Sequence, residues 1–129
     1  MRLLVTGGAG FIGANFVRRA LSAGHEVTVY DLLTYAGNLQ NLLGLDDRED
    51  YRFVKADIRD AEALSAAMIG CEAVINFAAE THVDRSIVDP TPFVSTNCVG
   101  TAVVCDTALQ AGIGRVVQVS SDEVYGSVV

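Results

Sequence analysis

The residues whose types and spacing most suggest chemistry lie near the amino terminus, in the stretch "TGGAGFIG". Gly7, Gly10 and Gly13 follow a short apolar run and open a segment with helical spacing, and Asp31 ends the next apolar run. Glycines in such a turn let the backbone approach a pyrophosphate, which the amino end of the helix attracts. Asp31 can accept hydrogen bonds from both ribose hydroxyls, and its charge repels a 2′-phosphate. The pattern predicts an NAD site rather than an NADP site; the alternative is a plain turn and a strand cap.

A pair of adjacent carboxylates, Asp122 and Glu123, is the second candidate, in "VSSDEVYG" after another apolar run. One interpretation is a capped helix start with ordinary first-turn acids. The other is a pair of groups that transfer protons together. Neighbouring side chains on an extended strand point to opposite faces, so joint action requires the strand to end before Asp122. In that case the two acids lie on an irregular or helical turn.

The elements that must position these residues alternate along the chain. Five apolar runs predict strands: "RLLVT", "HEVTVYD", "YRFVKAD", "CEAVINFAA" and "GRVVQVSS". Helices are predicted over "FIGANFVRRALSAG", over "AEALSAAMIG" with Asp60 as its cap, and as one long helix from Asp89 to Gly112. This alternation predicts an α/β fold with a Rossmann-like, doubly wound parallel sheet in the order 3-2-1-4-5. The loops after strands 1, 4 and 5 would then share one crevice.

Composition narrows the class of protein. The chain has 129 residues, of which 50% are hydrophobic and 19% charged, as expected for one globular domain. A net charge of -7 argues against nucleic acid and acidic membranes as partners. The three cysteines form no CxxC pair, so we expect reduced core residues and no metal site. The sequence shows neither a signal peptide nor an apolar run long enough to span a bilayer, which predicts a cytoplasmic protein.

Five stretches together resemble the extended short-chain dehydrogenase/reductase family, whose glycine pattern is GxxGxxG: "GGAGFIG", "DLLTYAGN", "FAAETHVDRS", "STNCVGT" and "SSDEVYG". The last four narrow the resemblance to the nucleotide-sugar 4,6-dehydratases that act on dTDP-glucose, and the likeness spans Arg2 to about Gly126. The resemblance implies NAD as cofactor and a dTDP-sugar as substrate. It also implies oxidation at C4, loss of water across C5 and C6, and return of the hydride to C6, which gives a 4-keto-6-deoxy sugar.

The resemblance further implies roles for individual residues. Ser121, Asp122 and Glu123 would be catalytic, with Asp122 as the acid and Glu123 as the base of the elimination, and Thr81 and Ser121 would contact substrate. The implied cofactor-binding residues are Gly7, Gly10, Phe11, Ile12, Gly13, Asp31, Leu32, Leu33, Thr34, Asp57, Ile58, Phe77, Ala78, Ala79, Glu80 and Thr96.

Several of these residues have an equally plain structural interpretation. Asp57 either faces the adenine or solvates its own turn, and Thr96 either contacts the cofactor or bonds back to its own helix. His82 and Arg85 either orient substrate hydroxyls or phosphate, or order their loop by pairing with nearby aspartates.

The sequence departs from the family in one respect. The family oxidises its sugar with a YxxxK pair on the helix after strand 5, whereas the only lysine here is Lys55. We therefore expect residues 1–129 to be an incomplete NAD-binding domain, truncated before that helix and the substrate region, and catalytically silent as it stands. The complete protein would be a homodimer. The alternatives are an epimerase or reductase of the same family, and a non-catalytic dinucleotide-binding module.

Overall fold

A single parallel sheet organises the protein. The computed structural model describes residues 1–126, apart from the side chain of Glu123. The sheet has the order β3-β2-β1-β4-β5, with strands β1 (Arg2–Thr6), β2 (Glu26–Asp31), β3 (Tyr51–Lys55), β4 (Ala73–Asn76) and β5 (Val116–Gln118). All four strand pairs are parallel, so the predicted fold class and strand order are confirmed. The carboxyl ends of the strands meet at one edge, with the topological switch between β1 and β4.

Helical segments connect the strands. They are α1 (Phe11–Ser22), α2 (Ala61–Met68), α3 (Val83–Val88), α4 (Thr91–Phe93) and α5 (Thr101–Gln110), with a π-helical segment at Val94–Gly100 and 3-10 helices at Leu39–Leu42 and Asp122–Tyr125. The Asp60 side chain caps α2 as predicted, because it accepts a hydrogen bond of 3.0 Å from the Ala63 amide. Within residues 1–126, no helix has the length and apolar character needed to cross a membrane.

The predicted uninterrupted helix from Asp89 to Gly112 is wrong in two respects. Helical structure runs from Thr91 to Gln110, and its second stretch, Val94–Gly100, is π-helical. Asp89 accepts a hydrogen bond from the Thr91 amide, but Pro90 occupies the cap position. The segment before it, expected to be a plain loop, contains α3. The π segment coincides with a tertiary contact, since a Cβ on Gly100 would lie 2.5 Å from Ile58 Cδ1.

The core lies on both faces of the sheet. Leu3 and Val5 of β1 face α1, whereas Leu4 between them faces α2 and α5, as alternation along a strand requires. The prediction that the cysteines are core residues is wrong for two of them. Cys71 is half-buried, but Cys98 and Cys105 are exposed, because none of the described residues covers their side of the helix.

Tyr30, at the centre of the second core layer, provides a test of this packing. It is fully buried, its hydroxyl donates a hydrogen bond of 2.8 Å to the Asp57 carbonyl, and burial raises its pKa to about 12. Because the phenol ionises at lower pH in the unfolded chain, the free energy of unfolding should fall as pH rises from about 10 to 12. Tyr30→Phe should reduce this pH dependence and lower the neutral-pH stability by about 1 kcal/mol.

Urea denaturation at several alkaline pH values measures this difference. Part of the slope should survive in Tyr30→Phe, because burial also raises the pKa of Tyr51. An unchanged slope would show that Tyr30 is accessible to water in the folded protein.

Candidate dinucleotide site

The glycine turn after β1 is sterically closed to any other residue at two of its positions. Gly7 has a φ of +66°, and a Cβ there would lie 2.6 Å from the Ala78 amide nitrogen. A Cβ on Gly13 would overlap the carbonyl oxygen of Gly7. The glycines therefore let the end of β4 and the start of α1 pack directly against the turn.

The amino end of α1 opens onto the same turn. Gly10 is its N-cap and has no side chain to accept hydrogen bonds from the first-turn amides, and the first turn contains no acidic residue. These amides also lack acceptors within the helix. Phe11 and Ile12 are largely exposed there, at 80% and 67% of their accessible surface. A 12-residue helix that begins in this way can bind a pyrophosphate through its amides and its dipole.

Asp31 is held beside the turn by two main-chain hydrogen bonds. Its Oδ2 accepts from the Ala9 amide at 2.9 Å and its Oδ1 from the Leu33 amide at 2.8 Å. The side chain is nearly buried, with 8% of its surface exposed. Each carboxylate oxygen has a second lone pair, so the group can still accept hydrogen bonds from a ribose. The buried charge also disfavours a phosphate at the same place.

The loop after β2 packs onto the glycine turn. Both the Asn38 amide and the Asn41 side-chain amide donate to the Ala9 carbonyl, at 3.1 and 2.9 Å. A Cβ on Gly37 would lie 2.8 Å from Asp31 Oδ1, so the loop passes directly over the carboxylate. Sequence reasoning missed these three residues. The "AGN" triplet within "DLLTYAGN" was the available signal for two of them.

Asp57 and Ile58, after β3, are both engaged by the protein. The Asp57 carboxylate bonds the Arg59 guanidinium, with Nε 3.0 Å from Oδ1, and these hydrogen bonds lower the pKa of the carboxyl. Arg59 also donates to the Ser95 hydroxyl at 2.8 Å. The side chain of Ile58 is buried in the core beneath Gly100, so a ligand would contact mainly its main chain.

The loop after β4 is held at both of its ends. The Phe77 amide donates to the Thr6 carbonyl, and the Phe77 ring packs against Phe16 with a centroid separation of 5.4 Å. Further along, the side chain of Asn97, on the π-helical segment, holds the main chain of Glu80 by two hydrogen bonds. The Glu80 amide donates to Asn97 Oδ1 at 2.8 Å, and Asn97 Nδ2 donates to the Glu80 carbonyl at 2.9 Å. Ala78 and Ala79 therefore lie on a constrained path that presents no bulky side chain. Thr96 precedes Asn97 and is half-buried.

A chain of hydrogen-bonded polar side chains links the ends of β1, β4 and β5, buried at Thr6 and Asn76 and exposed at Gln118. The Thr6 hydroxyl donates to Asn76 Oδ1, and Asn76 Nδ2 donates to Gln118 Oε1 at 2.6 Å. Asn76 Oδ1 also accepts from the Ala78 amide at 3.3 Å. Thr6 and Asn76 are fully buried. Sequence reasoning did not single out these residues, although each is a polar residue in or directly after an apolar run.

The last strand ends before Asp122, as is required if Asp122 and Glu123 are to act together. β5 stops at Gln118, and Asp122–Tyr125 forms a 3-10 helix, which fits both interpretations of the acid pair. Ser121 and Asp122 are exposed. The main chain of Glu123 lies in this turn, and its side chain lies outside the described residues. The Val119 amide donates to the Asn76 carbonyl at 3.0 Å, so this loop starts beside the loop after β4.

The segment that follows Glu80 lines an open cavity of about 530 Å³. Its walls are Glu80, Asp84, Arg85, Val88, Asp89, Pro92 and Phe93. Among residues 1–126, Arg85 forms no ion pair with Asp84 or Asp89, so the structure does not bear out the second of the two interpretations given for Arg85, pairing across this loop. Arg85 instead stacks on Tyr35, with the guanidinium carbon 4.7 Å from the ring centroid.

Comparison with models of protein families identifies the family of this chain. The model of the NAD dependent epimerase/dehydratase family matches residues 3–129. The chain belongs to this family. The matched range contains the glycine turn, Asp31 and the loops after β4 and β5.

Similar proteins include a dehydratase and a glycan biosynthesis protein. A dTDP-glucose 4,6-dehydratase of Streptomyces niveus is 51% identical over 99% of this chain, and the low-salt glycan biosynthesis protein Agl12 of Haloferax volcanii is 52% identical over 99%. The chain spans 40% and 42% of the lengths of these two relatives.

Solved structures of the family match the fold closely. DesIV, a dTDP-glucose 4,6-dehydratase from Streptomyces venezuelae solved with NAD bound, is 52% identical with a TM-score of 0.95, and the match covers all of this chain and 42% of DesIV. A UDP-glucose 4-epimerase of Thermotoga maritima is 30% identical with a TM-score of 0.88, over 100% of this chain and 41% of that protein.

Most of the predicted site residues of this family member lie along one edge of the sheet. The glycine turn follows β1, Asp31 to Thr34 follow β2, Phe77 to Thr81 follow β4, and Ser121 to Glu123 follow β5. Leu32, Thr34 and Thr81 are exposed, and Leu33 is half-buried with a φ of +59°. Ile58 is one exception, because its side chain packs into the core, and Thr96 is another, because it lies on the π-helical segment and not after a strand.

Proposed function

We propose that this chain is the NAD-binding domain of a nucleotide-sugar 4,6-dehydratase that acts on dTDP-glucose. The observation that carries the proposal is the acid pair that follows Ser121 on a helical turn after β5. This turn stands at the sheet edge that also holds the glycine turn and Asp31. Identity of 51% to a dTDP-glucose 4,6-dehydratase over 99% of the chain supports the same substrate.

The residues present suit NAD. The first-turn amides of α1 would hold the pyrophosphate, since the N-cap Gly10 offers them no side-chain acceptor. Asp31 would bind the adenosine ribose and disfavour a 2′-phosphate. Ala78 and Ala79 would leave room for a flat ring beside the constrained loop. Bound NAD would accept the hydride from C4 of the sugar and return it to C6.

The chain's own side chains would then carry the proton transfers. The Ser121 hydroxyl would hydrogen-bond the 4-oxygen of the sugar. Oxidation at C4 acidifies the C5 proton, which Glu123 would remove as Asp122 gives its proton to the 6-hydroxyl, so that water leaves and a C5–C6 double bond forms. Glu123 would return its proton to C5 when hydride reaches C6. Two adjacent carboxyl groups, one acting as the acid and the other as the base, meet these needs.

The rest of the enzyme would come from sequence that this chain does not contain. We place there the base for the 4-hydroxyl and most of the nucleotide pocket, because the chain spans only 40% of the relative from Streptomyces niveus. The complete protein would be a cytoplasmic homodimer.

Product analysis tests the proposal. The test uses a longer polypeptide that extends this chain to the length of its relatives. It is incubated with dTDP-glucose and NAD, and mass spectrometry then measures the mass of the sugar nucleotide. A dehydratase yields a product lighter by one water. A product of unchanged mass with inverted C4 would show the 4-epimerase that the Thermotoga maritima likeness offers as second candidate. Unchanged substrate would leave only a dinucleotide-binding module.

A further inference from the structure

Tyr35 joins two loops that are distant in sequence. It lies in the loop after β2 and contacts three residues of the segment after β4. The Arg85 guanidinium carbon is 4.7 Å from its ring centroid, the His82 ring meets it edge-on at 5.9 Å, and the Thr81 amide lies 3.4 Å from its hydroxyl oxygen. None of these contacts belongs to the dinucleotide chemistry described above.

The sheet order places these contacts between the two loops that flank the glycine turn. β2 and β4 pair with β1 on either side, so the loops after β2 and β4 flank the turn that follows β1. Tyr35 therefore joins the two loops that border the crevice into which the glycine turn opens.

Both sides of the bridge are firmly attached to the fold. The loop that carries Tyr35 is bonded to the Ala9 carbonyl through Asn38 and Asn41. The segment with Arg85 begins at Glu80, whose main chain is held by Asn97. The bridging side chains themselves are exposed, with 48% of Tyr35 accessible. Exposed cation–π contacts are weak enough to break and re-form readily.

We propose that Tyr35, Arg85 and His82 form a clasp between the two loops that flank the glycine turn, and that this clasp controls how fast a dinucleotide enters and leaves. This inference rests on the proposed NAD site. Because the clasp consists of contacts within the protein, its strength does not depend on ligand contacts. Loosening it should therefore raise the association and dissociation rate constants together and leave the equilibrium dissociation constant nearly unchanged.

Stopped-flow measurement of NAD binding tests the clasp. Tyr35→Leu and Arg85→Gln should each raise both rate constants about twofold to fivefold, the range for an exposed cation–π contact. Tyr35→Phe keeps the ring, so its rates should change less. The double variant Tyr35→Leu with Arg85→Gln should have rate constants close to those of Tyr35→Leu alone, because that variant already lacks the contact with Arg85.

Arg48→Gln is the matched control. Its guanidinium pairs with Asp50 before β3, at the opposite edge of the sheet, so its loss removes a positive charge without touching the clasp. Its NAD rate constants should equal those of the unaltered protein. Urea denaturation should show that all these variants fold, since Tyr35 and Arg85 are exposed.

The possible results separate the clasp from the NAD site itself. Unchanged rate constants in Tyr35→Leu, with normal NAD binding by the unaltered protein, would overturn the clasp and leave the proposed function standing. A faster dissociation alone, with weaker affinity, would also overturn it, because Tyr35 would then be a ligand contact. Failure of the unaltered protein to bind NAD would overturn both.

Discussion

Gly7→Ala should abolish NAD binding and lower the free energy of unfolding by about 3–5 kcal/mol. Gly7 has a φ of +66°, which alanine adopts only at a cost. A Cβ there would also lie 2.6 Å from the Ala78 nitrogen and 2.7 Å from the Phe77 carbonyl carbon. Both are main-chain atoms at the end of β4, so relief requires β4 to move away from β1. That movement would separate the two sides of the crevice.

Gly24→Ala is the control that separates the effect of the close contact with β4 from the effect of the positive φ. Gly24 has a φ of +81°, but a Cβ there would meet no atom within 4 Å. The free energy of unfolding of Gly24→Ala should fall by only about 1–2 kcal/mol, which is the cost of the backbone conformation, and its NAD affinity should not change. Urea denaturation and calorimetric titration measure the two quantities. Equal losses in the two variants would mean that contact between the glycine turn and β4 is unimportant.

Asn76→Leu should lower the free energy of unfolding by about 3 kcal/mol and weaken NAD binding roughly tenfold. The substitution leaves the buried Thr6 hydroxyl and the Ala78 amide without the acceptor that they share, and it removes the donor to Gln118. Buried polar groups without partners are the main source of this loss. NAD affinity should fall because the start of the loop after β4 is no longer held.

A double-mutant cycle with Thr6→Val tests the explanation. When valine replaces Thr6, no hydroxyl needs an acceptor from residue 76. The loss of unfolding free energy in the double variant should therefore be smaller than the sum of the losses in the two single variants. The difference should be about 1 kcal/mol. Strict additivity, measured by urea denaturation, would show that the chain from Thr6 to Gln118 does not act as a unit.

Local patterns were sufficient to predict the sheet and the glycine turn. Apolar runs separated by amphipathic segments define parallel βαβ units, and the spacing of Gly7, Gly10 and Gly13 specifies a tight turn into a helix. The end of β5 before Asp122 also followed from a local argument, the two-residue period of a strand.

The errors and omissions share a different cause, which is contact between distant residues. The π-helical segment bears the hydrogen bonds of Asn97 to Glu80, which lies 17 positions earlier. The polar chain joins Thr6 to Asn76, 70 positions away, because the register of β1 and β4 sets them side by side. Neither interpretation given for Arg85 included its contact with Tyr35, which lies in another loop. Sequence spacing carries no information on such pairs.

A crystal structure of this chain soaked with NAD is the most direct test of the central claim, that the glycine turn and the amino end of α1 bind a pyrophosphate. The account predicts phosphate oxygens within hydrogen-bond distance of the Phe11 and Ile12 amides, and the adenosine ribose on Asp31. NAD bound elsewhere on the molecule, or bound with its ribose away from Asp31, would contradict it.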